Sequence, residues 1–591
     1  MKISFLLSLA VIITTIIIYI LLLRKMKKIR INIFAFFISG IICISILIFP
    51  LLEYKNIYLR IFASFIYAIR CIGMGQELSL LSKIDLTVSN GYLYFILLNF
   101  LFLAVPALTV TFIVAYLEKI LASIKLMLSR NKKLYVFSEI NSRSLMLAKS
   151  LENKKNSVIV FSNNRKDINI KAINFNKEVT DIKFNSNSDI TFYMISNNEE
   201  KNLNDTLELI DKYKNREKTK IYVINQNEET PIILDSTDKG KITVEIISEK
   251  ERAIFNLLNN KPLFLNTVGN TISILIVGCG CIGHEFLKDS IWCGIMPNYK
   301  LKILVIDTNA NIIKENLSVE MPEVLTNYDI DFINEDIKSN KAINILKSKH
   351  DINYILVSMD NDDKNIDTAI TLRRFFLREF DREPVINLFI ENEYKQEEIL
   401  RLSNEKGYAY NLNAFGSIKD LYFKNSIIDS KLENLATKIH LSYDSEDINL
   451  ERYNLREYNK RSSRACALHI KYKLYSVLGD KYTSDMEENQ KLFRSMYSKD
   501  IENMLIENEH NRWLAYTRSI GYVYVSPREV EKYYQKNKHY IHYLARRHPA
   551  LVEFDKLDDV SKRLSVITSK NIDLKESDKM IIKSIYKSIN L

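Results

Sequence analysis

Ile272-Ser-Ile-Leu-Ile-Val-Gly-Cys-Gly-Cys-Ile-Gly283 decides the fold of this 591-residue chain. Its first half is apolar but for Ser273, which suits a strand buried on both faces. Gly278, Gly280 and Gly283 then follow in the spacing of a phosphate-binding turn. Gly278 allows the tight turn, Gly280 lets backbone approach a pyrophosphate, and Gly283 lets the next helix pack close to the strand. A second apolar run, Leu301-Lys-Ile-Leu-Val-Ile-Asp307, ends in an acid 24 positions after Gly283. There a carboxylate meets ribose hydroxyls. Strand, loop, helix, strand and terminal acid together predict a doubly wound α/β domain with a nucleotide crevice; the competing reading is the same domain kept for its shape, with the crevice empty.

Past Asp307 the rhythm continues. Ile330-Asp-Phe-Ile-Asn-Glu-Asp336 reads as a third strand ending in an acidic turn, which adds Asp336 to the candidate contacts. Tyr354-Ile-Leu-Val-Ser-Met359 leads through Asp360-Asn-Asp-Asp-Lys-Asn365 into a helix. Over about residues 270–430 this succession resembles the RCK-like Rossmann domains that regulate potassium conductance in bacterial channels and uptake systems. The resemblance implies a domain that senses NAD(H) or another nucleotide and moves membrane elements.

Residues 131–262 repeat the pattern with strand candidates at 134–137, 158–161, 190–195, 220–224 and 242–247, predicting a second parallel sheet. Its loop, Val136-Phe-Ser-Glu-Ile-Asn-Ser142, has no glycine, and Glu139 puts an anion where phosphate should approach. This copy reads as inert or repurposed.

The chain is too long for one core. Its 82 Lys plus Arg against 71 Asp plus Glu give a net charge of +11, with Lys spread throughout. That balance speaks for solubility and predicts no binding of nucleic-acid polymers. Six cysteines, without a CxxC pair, suit a reduced compartment.

The first 120 residues predict a membrane region. Ile3–Leu23 is 21 residues without a charge, enough to cross a core of about 30 Å. The basic cluster 24–30 belongs on the cytoplasmic side, which places the N-terminus outside. Residues 31–52 return outward and 92–117 cross back, leaving the later domains cytoplasmic in a multi-pass protein of the cell membrane. Between them 57–81 is apolar but broken by Arg60, Arg70, Gln76 and Glu77, which suggests an amphipathic or re-entrant piece. Nothing resembles a potassium-channel carbonyl filter.

The C-terminal part, 455–591, is predicted to be a small all-α domain, after a charged helical stretch at 416–444. Helices are expected at 462–474, at 500–507 and on through Asn508-Glu-His-Asn-Arg-Trp513, and at 527–547. Glu509-His510 followed by Arg512-Trp513, the pair Gly521-Tyr522, and His548-Pro followed by Phe554-Asp-Lys-Leu557 resemble the small helical domain named after the ryanodine receptor, which also occurs in bacteria. That resemblance implies ligand sensing coupled to nucleotide signals, in proteins that include antiviral defence systems. Two readings of the motif stand side by side. Glu509, His510, Arg512 and Trp513 could hold a ligand, with Trp513 stacking on a base and Arg512 on a phosphate, or Trp513 could be core and Glu509 with Arg512 an ion pair.

No nucleophile elbow, Walker loop or paired metal motif is present, and His539 with His542, three apart, lack further ligand types around them. The sequence therefore predicts a non-catalytic, metal-free, homo-oligomeric effector or channel-like protein, in which a nucleotide ligand acts on helices in a lipid bilayer. The alternatives are an NAD(H)-regulated component of a potassium system and an NAD-dependent enzyme.

Overall fold

The computed structural model describes residues 41–588 apart from 74, 76–77, 85, 87–90, 153, 163–168, 186–187, 228, 405–409, 423–430 and 442–455. The expected span 3–23 and its basic cluster lie outside the described residues, as does the first part of the expected span 31–52. The chain divides into two units, residues 1–130 and 131–591.

In the first unit residues 41–48 are helical and pass into a 3-10 turn at Phe49–Leu51. Helix α1 (Ile57–Ile72) starts where the Asn56 side chain accepts the Tyr58 N–H. Helix α2 (Gly91–Leu128) is 38 residues long, and its side chains at 108–109, 111–116 and 118–120 are not among those described. Ile44, Leu47, Ile48, Leu98 and Phe102 form its core with the preceding helices. Arg60, read as an interruption of an apolar stretch, donates to the carbonyls of Phe49 (2.8 Å) and Pro50 (2.9 Å). Its charge is thus answered at the C-terminal end of the preceding helix. The segment 57–81 is helix as far as Ile72, followed by a 3-10 turn at Leu78–Lys83. Among the described residues no helix is long and apolar enough to cross a membrane.

The second unit begins with a six-stranded sheet: β1 (Lys133–Phe137), β2 (Ser157–Phe161), β3 (Ala172–Asn174), β4 (Ile190–Met194), β5 (Thr219–Ile224) and β6 (Thr243–Ile247). The order is β3-β2-β1-β4-β5-β6 and every pairing is parallel. Helices α3 (Ser142–Leu151) and α4 (Glu249–Asn260) pack on it. The three-residue β3 was not expected, being too short for a periodic signal.

The second sheet holds β7 (Thr271–Val277), β8 (Lys300–Asp307), β9 (Asp329–Asn334), β10 (Tyr354–Val357), β11 (Val385–Phe389) and β12 (Leu412–Phe415). Its order, β9-β8-β7-β10-β11-β12, repeats that of the first, again all parallel. Both are Rossmann-like sheets with the order reversing between their first and fourth strands, where open α/β sheets bind ligands. Helices α5 (Cys281–Cys293), α6 (Ala310–Glu320) and α7 (Asp362–Phe380) belong to it. β7 and β10 are apolar without alternation because helices cover both faces.

The C-terminal region is helical, with α8 (Glu457–Leu478), α9 (Lys499–Ser519) and α10 (Leu574–Ser588). The single helix expected over 527–547 ends at Asn537, where Lys538 takes a left-handed conformation (φ 57°) and donates its N–H to Tyr534. The chain then folds back, so that β14 (Arg547–His548) pairs with β13 (Val523–Tyr524). A helix spanning 527–547 would have put His539 and His542 on one face; both sit in the folded-back segment.

One core runs through this unit. Phe255 of α4, Trp292 of α5, Tyr472 of α8 and Tyr516 of α9 belong to a single buried cluster with residues of both sheets. Asn353, fully buried, ties the connection into the second sheet: its Oδ1 accepts the Ser273 N–H (2.7 Å) and its Nδ2 donates to Leu263 (2.7 Å) and Leu265 (2.8 Å) carbonyls. Asn353→Ala strands these buried backbone groups, and we expect urea denaturation to show a loss of about 1–3 kcal/mol, with Asn353→Asp less damaging at acid pH than at neutral pH.

Candidate functional site

The loop after β7 is built around two contacts that no side chain could share. Gly278 has φ 82°, and a Cβ there would lie 2.9 Å from the Met359 backbone nitrogen. A Cβ on Gly283 would fall 2.2 Å from the Gly278 carbonyl oxygen. Ser358 Oγ donates to that same carbonyl at 2.8 Å, joining the ends of β7 and β10 at the point where strand order reverses. Gly280 differs. Its φ is −70° and a Cβ there would meet only Asp360 Oδ1, at 3.8 Å. The fold therefore requires Gly278 and Gly283 to be glycine, whereas the bare Cα of Gly280 leaves room above the start of α5. Gly280 is the N-cap of α5 and supplies no side-chain cap to its first turn, which leaves that turn's positive end for an anion.

Asp307, at the end of β8, reaches back to this loop. Its Oδ2 accepts the Cys279 N–H (2.8 Å) and its Oδ1 the Asn309 N–H (2.7 Å). Each oxygen keeps a lone pair for a second donor such as a ribose hydroxyl. Gly278, Gly280, Gly283 and Asp307 are thus brought together. Asp336 lies past the end of β9, one residue after Glu335, whose N–H donates to the Asp307 carbonyl at 3.1 Å, and its own carboxylate accepts the Lys338 N–H at 2.7 Å. Sequence reading did not assign Ser358, Asp360 or Asn365 to the crevice. Asn365 holds the loop after β10, accepting from the Met359 N–H (2.8 Å) and donating to the Met359 (3.1 Å) and Phe389 (2.9 Å) carbonyls. The acidic run 360–365 was the visible signal.

The equivalent place on the first sheet is filled by its own side chains. Ser138 Oγ accepts the Ile195 N–H (3.0 Å), Ser162 Oγ donates to the Ser138 carbonyl, and Asn141 Nδ2 donates to the Ile195 carbonyl (2.6 Å). Arg143 grips Glu249 with two nitrogens (2.6 and 2.9 Å), and Tyr422 donates to the same carboxylate.

Helix α5 runs from the glycine loop into the C-terminal region and packs along α9. Trp292 meets Tyr516 edge to face at 6.1 Å and donates to Asp289 at 3.0 Å. Burial, then the charges of Glu285 and Glu251, push the Asp289 carboxyl well above the carboxylate range. Asn508 donates to the Ile295 carbonyl (3.0 Å), and Arg518 pairs with Glu323 (2.8 Å). Gly521, at φ 84°, passes so close to α6 that a Cβ would lie 2.5 Å from the Glu320 carbonyl oxygen.

The four motif residues on α9 divide between two environments. Glu509 is fully buried, held by Arg512 (Nη2 to Oε1, 2.8 Å) and Lys473 (2.6 Å). Burial pushes its carboxyl up, but Arg512 and Lys473 outweigh that and hold it down to about 2. Glu509 is thus an internal counter-ion. His510, Arg512 and Trp513 line a cavity of about 660 Å³ with Arg456, Tyr458, Tyr540, Tyr543, His548 and Asp578. His510 Nε2 donates to the Val552 carbonyl (2.8 Å) and its Nδ1 faces Asp578 at 3.4 Å. Trp513 is partly buried, with His548 edge-on at 4.9 Å. His548 Nδ1 accepts the Ala550 N–H (3.0 Å), which places its proton on Nε2.

No family model matches the chain, and no curated protein matches it. Among solved structures the chain is similar to that of GsuK bound to ADP, at 12% identity and a TM-score of 0.31, over 68% of this chain and 98% of that one.

Burial, then the charge of His510, hold the His548 imidazole down to about 3. Unfolded, it titrates near 6.5, so between these values the unfolded chain carries a proton that the folded one lacks. The stability from neutral His548 is complete above pH 6.5 and is lost as the pH falls toward 3, and buried His469, also held low by burial, acts in the same direction. We expect urea midpoints to fall through this window and His548→Gln to flatten the slope.

Proposed function

We propose that the chain is a membrane-anchored, nucleotide-responsive regulator. A nucleotide such as NAD(H) sits in the crevice between β7 and β10, with its phosphates over Gly280 and its ribose on Asp307, and shifts the helical C-terminal region between two arrangements. That shift alters the apolar N-terminal segment. A ligand does this only by binding one arrangement better than the other.

The observation that carries the nucleotide part is the contrast among the three glycines. Gly278 and Gly283 are explained by the packing of the protein itself, while the space at Gly280 serves no internal contact and lies over the start of a helix. The carboxylate of Asp360 at that opening is a cost for any phosphate there, which the positive helix end and a cation accompanying the ligand must offset. Support for transmission comes from α5, because the helix whose first turn would meet the phosphate is also the one packed on α9.

Support for the membrane part comes from the first unit. Residues 91–117 of α2 contain no charged side chain. Phe62, Ile69, Phe100 and Leu103 on α1 and α2 are exposed, Leu103 at 75%. Apolar surface on that scale needs a cover, and a bilayer supplies one without a further protein.

Calorimetric titration of the full chain in detergent with NAD(H), ADP and ATP tests the crevice. Gly280→Ala is expected to leave the melting temperature nearly unchanged and to weaken binding about tenfold, or about 1.4 kcal/mol. Undiminished binding in that variant overturns the crevice. In liposomes, nucleotide-dependent flux of potassium alone indicates selective conduction, and flux of larger solutes as well indicates leakage. No flux with nucleotide bound overturns the membrane part.

A further inference from the structure

The cavity lined by α8, α9, α10 and the folded-back segment 539–548 shares no lining residue with the crevice of the second sheet and has its own chemistry. Its charged lining consists of Arg456, Arg512 and Asp578, with several imidazoles. Two of the three charges are already engaged. Arg512 is bound to Glu509 through Nε and Nη2, and Asp578 faces His510. Arg456 is the exception: its guanidinium lies 3.8 Å from the centroid of the Tyr543 ring, and it has no carboxylate partner among the described residues. A guanidinium stacked on an aromatic ring is held in place with its N–H groups still available.

The other walls are fixed in advance. The backbone contacts of His510 and His548 hold both imidazoles in position, and the protein keeps His548 neutral, so it contributes a polar edge without a charge. Trp513, partly buried at the wall, offers indole surface beside them. A volume of about 660 Å³ falls in the range of small-molecule sites, about 300–1,000 Å³. One available guanidinium and one indole ask for a ligand with an anionic group and a flat ring. A cation would be repelled by Arg456, and a neutral ring would leave Arg456 unused.

We propose that this cavity is a second ligand site, separate from the glycine crevice, and that it takes a phosphorylated nucleoside with its phosphate on Arg456 and its ring against Trp513. The proposal deepens the nucleotide-responsive reading and rests on it for the class of ligand. It assigns the anion contact to Arg456, outside the α9 motif, and removes Glu509 from the ligand contacts.

The chain contains two tryptophans, and Trp292 is fully buried. Binding at the cavity is therefore read by Trp513 fluorescence beside calorimetry, on the full chain in detergent titrated with AMP, ADP, adenosine and inorganic phosphate. We expect AMP or ADP to quench the signal and to bind more tightly than adenosine or phosphate alone. Arg456→Ala should weaken this event about tenfold, Arg456→Lys should restore part of it, and Trp513→Phe should abolish the optical change while keeping the heat. Gly280→Ala should leave it intact. If Arg456→Ala leaves every isotherm unchanged while Gly280→Ala weakens nucleotide binding, the cavity site is wrong and the crevice stands. If Arg456→Ala removes all nucleotide binding and Gly280→Ala none, the cavity stands and the crevice falls. No nucleotide heat in any form of the protein overturns both.

Discussion

The absence of a side chain at Gly283 is the constraint on which the second half of this molecule depends. With 2.2 Å between a would-be Cβ and the Gly278 carbonyl, α5 can lie as close to β7 as it does only because nothing projects there. That approach fixes the start of α5 under the loop. It also fixes where its far end delivers Trp292, between Phe255 (5.9 Å) and Tyr516 (6.1 Å). The same helix thus carries the geometry of the crevice at one end and the docking of the C-terminal region at the other. Packed cores move as discrete bodies more readily than they deform, so the ligand effect proposed for the loop would pass to α9 through this helix.

Docking is reinforced by charges that are largely withdrawn from water. Arg464 of α8 donates to Glu433 (2.6 Å) and Glu457 (2.9 Å) and pairs with Glu245 of β6 at 3.5 Å, while Lys460 donates to the Val244 carbonyl at 2.7 Å. Burying so many ions yields little net stability, because desolvation offsets most of the attraction. What such a cluster does is penalise every other register of α8 on the first sheet, since a shift would leave a buried charge alone. Registry of the C-terminal region comes from these ions and from Gly521 against α6, with the shared apolar core supplying the bulk of the driving force.

The sequence made the second sheet legible because period and punctuation agreed there: apolar runs, glycines at fixed offsets, an acid at the strand end. Gly278, Gly280, Gly283 and Asp307 converge as that pattern requires. Asp336 follows the end of the neighbouring strand β9, where its carboxylate closes a turn on the Lys338 N–H. β11 and β12 went unread because Val385–Phe389 and Leu412–Phe415 are too short to be told from buried loop. In the C-terminal region the motif on α9 was visible, but a four-residue run cannot reveal which of its members faces inward. Glu509 turned to Lys473, a residue 36 positions earlier on another helix. The remaining cavity wall comes from Arg456 and, much later in the chain, Tyr543 and His548, and the left-handed position of the turn that gathers part of it is taken by Lys538, neither a glycine nor an asparagine.

The two sheets share a strand order and differ at the loops, which separates what the architecture provides from what the site chemistry adds. In the first sheet the switch point is plugged by Ser138, Asn141 and Ser162, and Arg143 with Glu249 and Tyr422 closes the space beside it. Those contacts satisfy polar groups at a place where a ligand-binding domain must keep some of them free or bound to solvent. In the second sheet the same place keeps the room at Gly280 and lone pairs on Asp307. The C-terminal helices grip both copies: α8 through Glu245 of the first, α9 through α5 of the second. Residues of both α8 and α9 line the cavity of about 660 Å³, so the helix that grips the first sheet and the helix that grips the second share its walls.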